Sequence, residues 1–207
     1  LIYFLISLII CFLISYVNLN YGLPDNNIFE FILKHSWYYI LITVLFVGPL
    51  LEEISFRLFL RYSRINISLS IGGVCYYIIS IIYNSGFYKI SSIFIYKVII
   101  ISILVIIVYR FLSNIKFEQQ IKNFIQNNLL IIMYSSVMIF GLVHLSNIEL
   151  ENFKSFLIFP VLISPQLSIA LVSSVLRLEC GFKYSFCFHF LVNIITTSLL
   201  LLVKFIS

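Results

Sequence analysis

The stretch Tyr38-Tyr39-Ile40-Leu41-Ile42-Thr43-Val44-Leu45-Phe46-Val47-Gly48-Pro49-Leu50-Leu51 runs straight into Glu52-Glu53-Ile54-Ser55-Phe56-Arg57 and then Leu58-Phe59-Leu60. It is long enough and apolar enough for a membrane helix, yet it carries three charges. Each charge near the middle of such a helix costs about 2.5–3.5 kcal/mol, whereas each Leu, Ile, Val or Phe returns only about 0.3–0.6 kcal/mol. Unpaired, the three would cancel most of the insertion energy of the segment. Ionisable groups buried in a membrane bundle therefore mark a functional site, and the rest of the chain is read around this one. The plainer alternative is a charged helix end leaving the bilayer, with Arg57, Arg61 and Arg64 among the headgroups.

Composition points the same way. Of the 207 residues, 62% are hydrophobic and only 10% charged, and the mean hydropathy of +1.11 lies far outside the range of a soluble domain. The expected fold is an all-α polytopic transmembrane bundle of about seven or eight spans, because helices satisfy their own backbone in lipid. Candidate spans near the required length of about 20 residues fall at about 1–19, 37–60, 67–84, 92–112, 129–147, 156–177 and 185–206. Pro160 and Pro165 can split the sixth. The segment from Ser113 to Asn128, rich in Gln and Asn, reads as a loop. Two regions are expected: an N-terminal span and loop over 1–36, and a main domain over 37–207. The chain opens at Leu1 inside an apolar run without a Met, so further sequence is expected upstream.

The net charge of +5 is spread over loops and forms no track for a phosphate backbone, so no nucleic acid is expected as a partner. The basic residues sort by side. Arg61, Arg64, Arg110, Lys116, Lys122, Arg177 and Lys183 fall on one side, and Lys34, Lys89, Lys154 and Lys204 on the other. The richer side is expected to be cytoplasmic. Trp37, Tyr38 and Tyr39 then anchor the opposite interface. Cys11, Cys75, Cys180 and Cys187 form no C-x-x-C pair and read as small buried residues. Lys97, inside the fourth span, either snorkels to a surface or pairs within the bundle. Abundant Ile and Asn with little Ala fit an AT-rich, bacterial genome.

Three polar features interrupt the apolar spans. Residues four apart share a helix face, so Glu53 and Arg57 can pair while Glu52 turns towards another surface. The second feature is Phe140-Gly141-Leu142-Val143-His144. A lone histidine there is more often structural than catalytic, and Gly141 also fits close helix packing. The third is His189-Phe190-Leu191-Val192-Asn193, with His189 and Asn193 in register on one face. By themselves those two fit interhelical hydrogen bonding as well as chemistry.

In this order and on separate helices, the three features resemble the E-E-x-x-x-R, F-x-x-x-H and H-x-x-x-N/D motifs of the CAAX-protease and bacteriocin-processing family of intramembrane proteases. Phe56-Arg57, the wording F-G-L-V-H-L, and Pro165-Gln166 before the third motif add to the likeness, which covers about residues 37–200. One departure is the separation of the first two motifs by an apparent two-span insertion at about 65–115. Another is depth: counted from the span ends, Glu52 falls nearer the cytoplasmic face and His144 nearer the other. Extending the second span to about Arg64, or starting the fifth some residues later, would bring them level.

The resemblance implies hydrolysis of a peptide bond in a membrane-associated or prenylated peptide, inside a bacterial cell membrane. It makes Glu52 the base that activates water, with His144 beside it. It makes His189 and Asn193 the groups that polarise the carbonyl and stabilise the oxyanion. Glu53 and Arg57 become a structural ion pair, with no cofactor required. Two alternatives stand beside this reading. One is a zinc site on Glu52, His144 and His189, although no H-E-x-x-H and no evident second carboxylate support it. The other is a non-catalytic relative acting as a bacteriocin self-immunity factor or scaffold. A transporter would be expected to show repeated broken helices.

Overall fold

The computed structural model describes residues 34–83, 92–147 and 160–206, together with Ile6, Ile9, Phe31 and Ile32. The described part is all-helical. Its α-helices are α1 (Trp37–Ile40), α2 (Gly48–Phe56), α3 (Arg64–Ile82), α4 (Ser92–Phe111), α5 (Ile115–Asn127), α6 (Leu129–Val143), α7 (Ser164–Glu179) and α8 (Phe182–Ile206). A π-helix, Leu41–Val47, joins α1 to α2, and 3-10 turns occupy Leu58–Leu60 and His144–Asn147.

Local chemistry sets the boundaries. Ser63 accepts from the Asn66 amide and caps α3, and Asn114 does the same for Lys116 at the start of α5. Pro165 sits in the first turn of α7, where a missing N–H costs nothing. Gly181, at φ 104°, closes α7 and turns the chain straight into α8. That tight turn packs α8 back along α7 and so fixes where the third motif lies.

The core sits where α2, α3, α6 and α7 meet. Phe56, Tyr77, Val137, Phe140 and Ala170 are buried there against Leu51, Val143, Leu167 and Leu171. Two glycines allow the crossings. A side chain at Gly73 would collide with Ser55 of α2, and one at Gly141 with Leu167 of α7. Ser136 donates to the Phe56 carbonyl, and Phe140 meets Phe56 edge-on with ring centroids 5.5 Å apart. With His144 beside Glu52, α6 therefore runs antiparallel to α2, and its end rises to the glutamates. This resolves the difference in depth without lengthening the second span. That span instead ends its α-helix at Phe56, since Arg57 leaves helical geometry at φ −132°, ψ −21°.

The expected seven or eight spans are not supported. Among the described residues, Trp37–Leu60, Arg64–Ile82 and Ile93–Phe111 are long and apolar enough to cross a membrane. A fourth arises only if α5 and α6 count as one broken span. The expected span at 1–19, apart from Ile6 and Ile9, and the start of that at 156–177 lie outside the described residues. Helices α6 and α7 have 15 and 16 residues, about 22–24 Å of rise against a hydrocarbon layer of about 30 Å. Helix α8 has 25 residues but carries Lys183, Ser185, His189, Asn193, Thr196 and Thr197, and it is not among the three.

The expected loop 113–128 is also corrected. It is helix α5, bent 80° from α6. Phe117, Ile121, Phe124 and Ile125 supply a helical apolar period beneath the Gln and Asn. Helix α4 is exposed over most of its length and half-buried at Ile101, Val105 and Val108 where it meets α3, with one fully buried residue among those described. Lys97 is 1% exposed, donates to Ser80 Oγ at 2.9 Å and stands 4.7 Å from the Tyr76 ring. Of the two readings of this lysine, pairing within the bundle is the one observed.

Candidate active site

The helix carrying the first motif is wound differently above and below Pro49. In the π-helix each N–H reaches back five residues, and the Gly48 amide bonds the Thr43 carbonyl. The next rung in that register would run from residue 49 to Val44, and proline has no N–H to offer. Asn193 of α8 supplies the missing donor, Nδ2 to the Val44 oxygen at 3.1 Å. The i−4 logic of an α-helix would have freed the Leu45 carbonyl instead. The wider winding moves the orphan by one residue.

This repair is open to test. Asn193→Leu leaves the Val44 carbonyl without its donor and is expected to cost about 1–3 kcal/mol, the penalty of a buried unsatisfied acceptor. Pro49→Ala restores an N–H at the right rung. The double variant should therefore unfold closer to wild type than Asn193→Leu alone. Additive losses in thermal unfolding would refute the assignment.

Below Pro49, α2 is regular and presents its two glutamates to different surroundings. Glu53 is fully buried. Its Oε1 lies 2.9 Å from Arg57 Nη1 and 2.9 Å from His189 Nδ1, and its Oε2 accepts from Ser185 Oγ. The Arg57 guanidinium is 1% exposed and lies 4.0 Å over the Phe140 ring. Among the described residues its Nη2 has no hydrogen-bond partner. The abrupt end of α2 is held by two other helices. Ser136 caps the Phe56 carbonyl, and Arg177 donates to the carbonyls of Arg57 and Leu58 at 3.3 and 2.8 Å. Arg177, expected among loop cations, is thus buried and structural.

Glu52 faces the other way. Its Oε2 is 3.3 Å from His189 Nε2, and its Oε1 is 3.9 Å from His144 Nε2. The Glu52 and His144 side chains are each 16% exposed, against 4% for His189. His144 Nδ1 lies 2.9 Å from the Phe140 carbonyl, which can only accept, so this nitrogen carries the hydrogen, and in the neutral imidazole Nε2 faces Glu52 with its lone pair. Likewise His189 Nδ1 carries a hydrogen towards Glu53. The result is two shells. An inner, dry network of Glu53, Arg57, Ser185 and His189 backs an outer, partly accessible pair, Glu52 and His144.

The structure therefore brings Glu52, Glu53, Arg57, His144 and His189 into one cluster from three helices far apart in sequence. Asn193 stands one turn further along α8 and bonds the backbone of the π-helix. Ser185 was missed, although its position four residues before His189 makes Ser185, His189 and Asn193 one stripe on α8. Phe140 was read only as a motif letter, yet it stacks under Arg57 and meets His189 edge-on at 6.0 Å.

The zinc alternative gains one feature and lacks another. Glu53 is the carboxylate behind a histidine that the sequence did not reveal. Even so, no three His, Cys, Asp or Glu side chains among the described residues are arranged to hold a metal ion. No family model matches the chain, and no curated protein or solved structure matches it either.

Proposed function

We propose that this chain is an intramembrane endopeptidase that hydrolyses a peptide bond in a prenylated or otherwise membrane-associated peptide. The observation that carries the reading is the position of Glu52, its two oxygens turned to two imidazoles from two other helices. A structural ion pair needs one partner, and Glu53 already has Arg57. Glu52 is the surplus carboxylate, placed at the accessible edge of a dry network. The ordered likeness of 52–57, 140–144 and 189–193 to the three protease motifs supplies the reaction class. The Ile- and Asn-rich composition favours a bacterial cell membrane as its setting.

Each group then takes a role. Glu52 Oε1 and His144 Nε2 are both acceptors, and their 3.9 Å separation exceeds a direct hydrogen bond. A water between them would donate one hydrogen to each, which orients its lone pair outward. As the water oxygen attacks the carbonyl carbon, its proton passes to Glu52. The same proton is returned to the amide nitrogen when the C–N bond breaks. His189, held by Glu53 through Nδ1, offers a positive charge to the developing oxyanion when protonated at Nε2. Asn193 is a positioning residue that fixes α8 against the π-helix. No step passes through a metal.

The test is cleavage in liposomes. The reconstituted full chain should cut a farnesylated or single-span peptide in the presence of strong chelators. His144→Ala should slow that cleavage by about 10²–10⁴-fold, the usual contribution of a positioned acid–base group. Loss of activity on chelation, restored by zinc, would overturn the metal-independent mechanism. Binding of such peptides without any cleavage would favour the non-catalytic relative.

A further inference from the structure

We infer that the arginine- and lysine-rich end of the bundle carries a second site, a seat for the phosphate of an anionic phospholipid headgroup between Arg61 and Lys122. This inference does not depend on the protease reading and uses none of its residues. A cavity of about 350 Å³ opens there, lined by Arg61, Tyr62, Lys122 and Gln126 with Leu60 and Leu129 as apolar walls. The two cations come from separate elements, the link after the 3-10 turn and α5, so the fold brings them to one opening.

Arg61 is fixed in place. Its Nε and Nη2 donate to the Leu178 carbonyl at 3.1 and 2.5 Å, and Nη2 also reaches the Glu179 carbonyl at 3.2 Å. Backbone carbonyls orient the guanidinium without cancelling its charge. No carboxylate is among the residues that line the cavity. Glu118 pairs with Arg64 at 2.5 Å and also lies within electrostatic reach of Lys122, one turn away on α5, while Glu179 is exposed. Lys122 projects from an exposed position on α5. Tyr62 lines the same opening, with its hydroxyl buried and without a hydrogen-bond partner among the described residues.

Helix α5 favours a lipid as the source of that phosphate. It lies at 80° to α6, the attitude of a helix resting in the interface plane. Ile121 and Ile125 dock on the Ile67 and Leu112 cluster, while Lys116, Gln119 and Asn123 remain exposed. Phe117 and Phe124 are exposed beside them, as side chains that enter the acyl boundary would be. An anion bearing apolar chains satisfies the cations and the leucine walls together. Free phosphate satisfies only the cations.

The experiment is native mass spectrometry of the full chain in detergent, titrated with phosphatidylglycerol, phosphatidylcholine or inorganic phosphate. Phosphatidylglycerol should bind more tightly than phosphatidylcholine. Lys122→Gln should weaken phosphatidylglycerol about fivefold, the ratio one lysine near an anionic surface supplies. Lys34→Gln, an equal loss of charge elsewhere, should leave that affinity unchanged. Thermal unfolding of Lys122→Gln should match wild type, because the residue is exposed. Equal affinity for the two lipids, or an unchanged Lys122→Gln, would overturn the site. Inorganic phosphate displacing the lipid at millimolar concentration would overturn the lipid assignment in favour of a soluble anion.

Discussion

Glu53→Gln is expected to destabilise the folded chain by about 3–5 kcal/mol, the cost of leaving a buried charge without its counter-ion. The substitution preserves shape, removes the charge and turns one accepting oxygen into an amide donor. Arg57 then remains 1% exposed, with one nitrogen already unpartnered among the described residues, and its burial keeps it from bulk solvent. Arg57 and His189 bond one carboxylate oxygen and Ser185 the other, so an amide NH2 on either side meets a donor, and the damage extends to α8. Such a loss is comparable to the whole stability of many domains. The measurement is the yield of monodisperse protein and its thermal unfolding in detergent. Arg57→Ala should behave alike, because it strands Glu53 and also empties the space over Phe140. Wild-type stability in both variants would show that the pair is dispensable.

Glu52→Gln is expected to do the opposite. Its carboxylate is partly exposed and its contacts are longer, so the variant should fold with thermal stability close to wild type. Its turnover should fall by about 10²–10⁴-fold, because an amide cannot accept the proton of an attacking water. The contrast between adjacent glutamates discriminates more sharply than either result alone. One neighbour carries stability and the other carries turnover. A Glu52→Gln variant that cleaves peptide at the wild-type rate would end the proposed mechanism, whatever the geometry of the cluster.

Much of this cluster was legible from spacing. The i, i+4 relation of Glu53 and Arg57 foretold their pairing and left Glu52 to another surface. Non-local facts were not legible. That Glu53 also holds His189 and Ser185 depends on the Gly181 turn, which lays α8 along α7 at one particular height. The break at Arg57 is set by Ser136 and Arg177, whose side chains supply donors to the carbonyls of Phe56, Arg57 and Leu58 from distant parts of the chain. Hydropathy alone continues the helix through Leu60.

The span count failed for a related reason. Window averages reward apolar content and ignore where a helix starts. The run at 129–147 therefore looked like a full crossing, whereas α6 is short and hinged at Asn128 to α5. Helix α5 was hidden by its Gln and Asn, because polarity was read before period. The π-helix had a signal in Pro49, but the register that makes Val44 the orphan emerges only once the backbone is seen.

The central claim is that Glu52 delivers water, not its own oxygen, to the scissile carbonyl. A single-turnover cleavage in ¹⁸O-water, with enzyme in excess over a lipid-anchored peptide, addresses it most directly. One ¹⁸O atom in the new carboxyl terminus on the first turnover, and none in the Glu52 side chain, is the expected result. An unlabelled first product, with ¹⁸O recovered in Glu52, would mean covalent attack by the carboxylate and would contradict it.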